Sequence, residues 1–246
     1  MKSPGAKQLK IFREWVDHFT ANRHLFEVLI SQVQASVISS KTLTPLIHSW
    51  KSRIKDPEHL KDKLIRKYLE YTNKGKIFPY TKENLFSNIN DLAGFRILHL
   101  HTSQFEKIDQ ELRKIFAEQA WVLVGKPEAK TWDDESRAYF KKIGIKVVKS
   151  PSMYTSIHYV IKSNSKVSIT CEIQVRTLME EVWGEVTHTI DYPHPSKSHS
   201  CREQIKTLAR VTSSCTRLVD SIFSTHQYEQ ERDLKLVKKS SRRKAK

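Results

Sequence analysis

Glycine and proline are scarce, six and eight in 246 residues, and neither clusters, which excludes collagen-like and Gly/Pro-rich low-complexity chains. The three cysteines, Cys171, Cys201 and Cys215, form no CxxC pair and leave an odd count. That argues against a disulfide scaffold or a zinc ribbon and suits a reducing interior. No run approaches the roughly 20 apolar residues of a membrane span, and the first residues lack the apolar core of a signal peptide. A cytoplasmic location without a membrane partner is the expectation. Acidic residues are also short, 27 against 43 Lys and Arg, so the formal charge is +16. Such a field favours polyanionic partners, the phosphates of nucleotides or RNA. Hydrophobic residues make up 38%, enough for one sizeable core, and no repeat of solenoid length appears.

Phe12, Trp15, Val16 and Phe19 recur at helical spacing, and Leu25, Phe26, Leu29 and Ile30 resume it after Asn22, so two helices open the chain. HLKDKLIRKYLEY, 59–71, reads as a third, with Leu60, Leu64 and Tyr68 inward and Pro57 near its start. From residue 94 the pattern changes to short β-branched and aromatic runs. GFRILHL, AWVLVG, IKVVK, YTSIHYVIK and VSITCEIQV predict five strands. Phe105, Ile108, Leu112 and Ile115 place a helix between the first two, giving β-α-β and then a hairpin that turns at SNSK, 163–166. TLMEEVWGEVTHTI returns to helical spacing, and Ile205, Leu208, Thr212, Cys215, Val219 and Ile222 mark a last amphipathic helix. KLVKKSSRRKAK has no apolar period and reads as disordered. Trp15, Trp50, Trp121 and Trp183 are expected in the core. The expected divisions are an N-terminal helical extension over 1–44, an α+β body over 45–195, a helix over 196–232 and a basic tail over 233–246.

CEIQVRT, 171–177, alternates Glu172, Gln174 and Arg176 with Cys171, Ile173 and Val175, and a strand sends the two sets to opposite faces. Paired antiparallel with YTSIHYVI, it shares its polar face with Tyr154, Ser156 and His158 and its apolar face with Ile157, Tyr159 and Ile161. A solvated outer face accounts for the alternation equally well. Asp91, in DLAGFRI, adds a second carboxylate where a loop feeds a strand. Two carboxylates converging at a strand end can hold one Mg²⁺, with phosphates and waters completing its shell. SRIKDPEHLKDKLIRK supplies Arg53, Lys55, Lys63 and Arg66, a set able to neutralise a triphosphate, although a solvated lysine-rich helix is the commoner meaning of that composition. His194, His199 and Cys201 lack a fourth ligand at fixed spacing and are not read as a metal site.

SRIKDPEHLKDKL, DLAGFRI, YTSIH and EIQVRTLMEEVWGEVTH stand in the order and approximate spacing of the synthetase domain of the RelA/SpoT family. The chain resembles that family's small single-domain alarmone synthetases over about residues 45–195, and the series DxxGxR, YxSxH, ExQxRT is specific when taken together. The resemblance implies a nucleotidyltransferase-like mixed sheet flanked by helices, and transfer of pyrophosphate from ATP to the 3′-hydroxyl of a guanine nucleotide, GDP or GTP, with release of AMP. It implies that Arg53 and Arg96 sandwich the adenine while Lys55, Lys63 and Arg66 neutralise the ATP phosphates. Asp91 and Glu172 are implied to hold Mg²⁺, with Glu172 also taking the proton of the attacking hydroxyl. Tyr154 is implied to stack on the acceptor base, and Ser156, His158 and Gln174 to line the acceptor site. Arg176 and His188 fall on family motif positions where a structural role and a substrate contact are both open.

The chain departs from the family pattern at the acceptor end. Ser152 and Met153 replace the usual Asn-Gly before the tyrosine, so the loop is not expected to use glycine's conformations. Glu181 stands where many small synthetases have an acceptor-contacting asparagine, and Thr187 replaces the common acid before His188. No His-Asp dyad of the family's hydrolase domain appears. Some relatives with this layout are toxins that place pyrophosphate on the 3′ end of tRNA, and a charge of +16 with a basic tail suits such an acceptor. That reading adds an antitoxin protein as a partner. An inactive RNA- or nucleotide-binding relative is a third reading, against which the intact acids count. The helical ends could pack on the sheet or on a second copy, which leaves a homo-oligomer open.

Overall fold

The structure, a computed structural model, describes residues 4–191 and 195–244, with side chains as far as residue 235. The chain enters through α1 (Ala6–Ala21) and α2 (Arg23–Ser39), which break at Asn22, whose side chain donates to the His18 carbonyl at 2.8 Å. β1 (Ser49–Ile54) and α3 (Pro57–Asn73) follow. Asp56 caps α3 by accepting from the amides of Glu58 and His59 at 2.9 and 3.1 Å, and Pro57 takes the first helical position, where no amide is needed. Next come α4 (Leu85–Asn88), β2 (Ala93–His99), α5 (Phe105–Glu118), β3 (Val122–Leu123), β4 (Glu128–Thr131), α6 (Asp134–Lys142) and β5 (Lys146–Lys149). The chain ends with β6 (Ser156–Lys162), β7 (Thr170–Thr177), α7 (Leu178–Ile190) and α8 (His199–Lys244). Among the described residues no helix is long and apolar enough to cross a membrane.

The strands form one mixed sheet of seven, in the order β1-β2-β7-β6-β4-β5, with β3 pairing β6. β2 runs parallel to β7 and β4 to β5, while the other pairs are antiparallel. All five expected strands are present, and β1 and β4 are additional. β1, SWKSRI, is an edge strand with no residue fully buried, so it carries no alternation to read. β4 is only four residues long.

One face of the sheet is apolar: Phe95, Ile97, Ile157, Tyr159, Ile161, Cys171, Ile173 and Val175 are all buried. α2 and α5 close it with Phe26, Leu29, Val33, Leu112 and Ile115, each of which contributes about 1.5–3 kcal/mol by leaving water. The other face carries the polar residues and is covered by α7, which α8 backs in turn. Thr177 and Glu180 form a capping box at the start of α7, and Trp183 Nε1 donates to the Ile205 carbonyl at 3.0 Å, joining α7 to α8.

Two expectations change. Trp15, Trp121 and Trp183 are buried, but Trp50 on edge strand β1 is 41% exposed. The terminal residues from 233, read as a disordered tail, continue α8 to Lys244. No glycine or proline follows Pro195, and Lys, Arg and Ala are good helix formers, so a lost apolar period does not end the helix.

The N-terminal helices share the core of the sheet. Phe12 is fully buried and meets the rings of Trp15, Tyr68 and Phe78 edge-on at 5.7, 5.7 and 5.8 Å. Phe12→Ala is therefore expected to cost about 3–5 kcal/mol, read as a lower urea midpoint at unchanged slope. A loss below about 1 kcal/mol would show α1 to be a separable appendage.

Candidate functional site

Register brings the polar residues together. β2 and β7 pair Gly94 with Glu172 and Arg96 with Gln174, β6 sets His158 against Gln174, and β1 sets Arg53 against Gly94 and Lys51 against Arg96. Side chains of paired residues share a face, so four adjacent strands put Lys51, Arg53, Arg96, Glu172, Gln174 and His158 on the side that looks at α7.

Asp91 stands just before β2, Lys55 just after β1 and Lys63 on α3. Lys55 Nζ donates to Asp91 Oδ2 at 3.0 Å and Lys63 Nζ to Oδ1 at 2.5 Å. Burial pushes the Asp91 carboxyl up, but the two ammonium groups outweigh it and hold the acid below its ordinary range. Burial pushes Lys63 down by more than Asp91 restores, and Glu172 also acts on its charge. Lys63 thus lies in the field of both carboxylates.

Glu172 is gripped at both oxygens: His158 Nδ1 lies 2.9 Å from Oε1, and Gln174 Nε2 donates to Oε2 at 2.7 Å. Burial raises its pKa, yet the hydrogen bond and charge of His158, with Gln174 behind them, hold it well below the usual carboxylate range. The far nitrogen of the same ring, His158 Nε2, lies 3.1 Å from Tyr154 Oη. Arg176 Nη2 donates to Tyr154 Oη at 3.2 Å and to Gln174 Oε1 at 2.6 Å, and its guanidinium lies over the Tyr154 ring, 5.2 Å from the centroid. Arg176 is therefore wired to Tyr154 and Gln174 at once. Ser156 is fully buried and donates to the Val175 carbonyl at 3.4 Å, so it brings no accessible hydroxyl to the surface of the site.

Arg96 reaches α7, where its Nη1 donates to Glu181 and to Glu185, each at 2.7 Å. A cleft of about 230 Å³ runs beside it, lined by Arg53, Arg96, Glu172, Gln174 and His188 among others. It adjoins a second of about 300 Å³ lined by Arg53, Lys55, His59, Arg66 and His188. Arg53 and Arg96 thus border one cavity, and Arg66, paired with Asp62 at 2.8 Å, borders the next. His188 touches both, and burial followed by the charge of Arg53 lowers its pKa.

Met153 takes φ +59°, so the loop before Tyr154 adopts glycine's left-handed conformation without a glycine, contrary to the expectation. The side chain packs against the cluster of Trp183, Ile205 and Ala209, which offsets a strain on the order of 1–2 kcal/mol. Lys51 and Glu185, which no sequence motif marks, belong to the site, and so does Glu181, expected only as a departure from the family pattern. The one local signal is the i, i+4 spacing of Glu181 and Glu185, which puts both acids on one face of α7.

Asp91 and Glu172 supply hard oxygen donors beside cationic groups, which fits a Mg²⁺ ion shared with phosphates rather than one caged by protein. The described residues contain no group of three or more His, Cys, Asp or Glu side chains placed to hold a metal. His194 lies outside the described residues.

Three comparisons bear on this arrangement. The family model described as "Region found in RelA / SpoT proteins" matches residues 52–197. GTP pyrophosphokinase YwaC of Bacillus subtilis is 28% identical over 153 residues, 60% of this chain and 59% of that protein, so the match spans under two thirds of the relative's length. Among solved structures, a GTP pyrophosphokinase family protein from Streptococcus pneumoniae superposes with a TM-score of 0.62 at 17% identity, covering 88% of this chain and 96% of the other. Small alarmone synthetase 1 from Bacillus subtilis, bound to its product pppGpp, gives 0.59 at 15%, covering 87% and 98%. At these identities the structural matches establish the fold.

Gly184 on α7 leaves room for Arg176: a methyl there would stand 2.5 Å from Arg176 Nη1. Alanine gains about 1 kcal/mol over glycine in a helix, yet Gly184→Ala is expected to destabilise the protein, because Arg176 must leave Gln174 and Tyr154. Urea unfolding measures it, and a more stable variant would contradict a tightly held Arg176.

Proposed function

The chain belongs to the RelA/SpoT family, and from that premise we propose that it transfers the pyrophosphate of ATP to the 3′-hydroxyl of GDP or GTP, releasing AMP. The observation that carries this reading is Glu172, a half-buried carboxylate kept ionised by His158 and Gln174 and lining the cleft that Arg53 and Arg96 border. A relative named GTP pyrophosphokinase and a similar fold holding pppGpp support the choice of substrates. Both substrates are cytoplasmic nucleotides, which supports that location.

In this mechanism the acceptor's 3′-oxygen bonds to the β-phosphorus of ATP as the bridge between the α- and β-phosphates breaks, and AMP departs with the bridging oxygen. Arg53 and Arg96 hold the adenine, and Lys55, Lys63 and Arg66 offset the phosphate charge. Tyr154 orients the acceptor base, with His158 and Gln174 beside it and Ser156 behind. Glu172 accepts a hydrogen bond from the 3′-hydroxyl and takes its proton as the new bond forms. Asp91 and Glu172 are the residues that would hold Mg²⁺, which when bound polarises the β-phosphate and lowers the barrier from charge. Positioning and electrostatics supply most of such a transfer.

A second reading, transfer to the 3′ end of tRNA by a toxin with an antitoxin partner, is favoured by the charge of +16 and by a lysine- and arginine-rich end to α8.

Glu172→Gln keeps the shape of the side chain and removes the base. AMP release in the presence of GTP is expected to fall about 10²-fold or more, with an unchanged melting temperature, and retained turnover would refute the mechanism. The pH profile gives a separate check. A depressed carboxylate is active above its pKa and fails as pH falls through it, so the acid limb of the wild type is expected below about pH 4. His158→Gln removes the largest depressing group and should move that limb upward. A limb that stays in place would show that Glu172 is not the group being titrated.

A further inference from the structure

Glu181 is a buried carboxylate set between two arginines that serve different parts of the site. Its Oε1 accepts from Arg96 Nη1 at 2.7 Å and lies 3.1 Å from Lys51 Nζ. Its Oε2 lies 3.3 Å from Arg176 Nη1 and has no hydrogen bond among the described residues. The side chains of Glu181 and Arg176 are only 6% and 3% exposed, so their charges depend on each other rather than on water. Arg96 borders the cleft shared with Arg53, whereas Arg176 reaches Gln174 and lies over Tyr154.

A guanidinium forms ion pairs through its edge and stacks through its face. Glu181 takes the edge of both arginines and leaves their faces to rings: that of Arg176 already meets Tyr154, and that of Arg96 is available to a purine. One carboxylate therefore fixes two planes. Without it, three cations would crowd a poorly solvated space, and each plane would have to be ordered separately on binding.

We propose that Glu181 is a positioning residue that couples donor binding to acceptor binding by holding Arg96 and Arg176 at once. The inference rests on the reading above, in which Arg96 stacks on the adenine and Tyr154 on the acceptor base. A ring that orders one arginine also orders the shared carboxylate, which lowers the cost of ordering the other. The effect is reciprocal: donor raises the affinity for acceptor by the same factor as acceptor raises that for donor. Glu185 serves as an internal contrast: its ion pairs are with Arg96 and Lys51, at 2.7 and 3.4 Å.

Calorimetric titration tests this with a non-hydrolysable ATP analogue and GTP, each alone and in the presence of the other. In the wild type, analogue is expected to tighten GTP binding by roughly fivefold or more. Glu181→Gln should reduce that ratio to about one while the circular dichroism spectrum is kept, and Glu185→Gln should weaken the analogue but preserve the ratio. A ratio that survives in Glu181→Gln overturns the proposal, as does one lost equally in Glu185→Gln. If wild-type protein binds the analogue but not GTP, the guanine acceptor fails, and the coupling is then read from the analogue alone. Arg176→Lys should weaken the analogue, and its effect should not add to that of Glu181→Gln. Additive effects, or no effect of Arg176→Lys, would overturn the coupling. A wild type that binds neither nucleotide refutes both readings.

Discussion

The parallel register of β2 on β7 decides where each charge of the site can stand. It sets Gly94 beside Glu172 and Arg96 beside Gln174, and the antiparallel neighbours β1 and β6 extend the same face with Arg53 and His158. A slip of one residue would turn these side chains into the apolar layer under α2 and α5. The burial of Phe95, Ile97, Ile173 and Val175 therefore protects the site's geometry as well as the fold.

Gathering charges in a half-buried space is unfavourable unless each is matched. Asp91 is matched by Lys55 and Lys63, Glu172 by His158 and Gln174, and Arg96 and Arg176 by Glu181. The resulting chain of polar contacts runs from Lys51 to Glu172 and restrains each member through its neighbours. Such a network limits the reorganisation left for the moment of reaction, which is what electrostatic catalysis needs. Two departures from the family pattern meet in this network: Met153 packs against the Trp183 cluster, as Tyr154 does, and Glu181 pairs with Arg176.

Much of this was legible in the sequence. The alternation of CEIQVRT predicts its two faces, and the inward side of α3, Leu60 and Leu64, is fully buried. The unread parts share a cause: they depend on contacts that local period does not encode. β1 has no buried face because it is an edge, and Trp50 is exposed for the same reason. Glu181 looked like a changed acceptor contact, and only tertiary packing shows that it meets Arg96 across 85 residues of chain. Met153 looked unable to replace a glycine, because the packing that offsets its strain comes from α7 and α8. The end of α8 has no amphipathic period, and its helix rests on the propensity of Lys, Arg and Ala instead.

The most direct measurement supplies ATP labelled at the β-phosphate, with Mg²⁺, to wild-type protein holding both GTP and deacylated tRNA, and then separates the products. The account predicts label in a guanosine nucleotide that carries it at the 3′ position, with one AMP formed for each pyrophosphate transferred. Label found only on RNA would contradict the guanine acceptor, and label on neither would contradict pyrophosphate transfer itself.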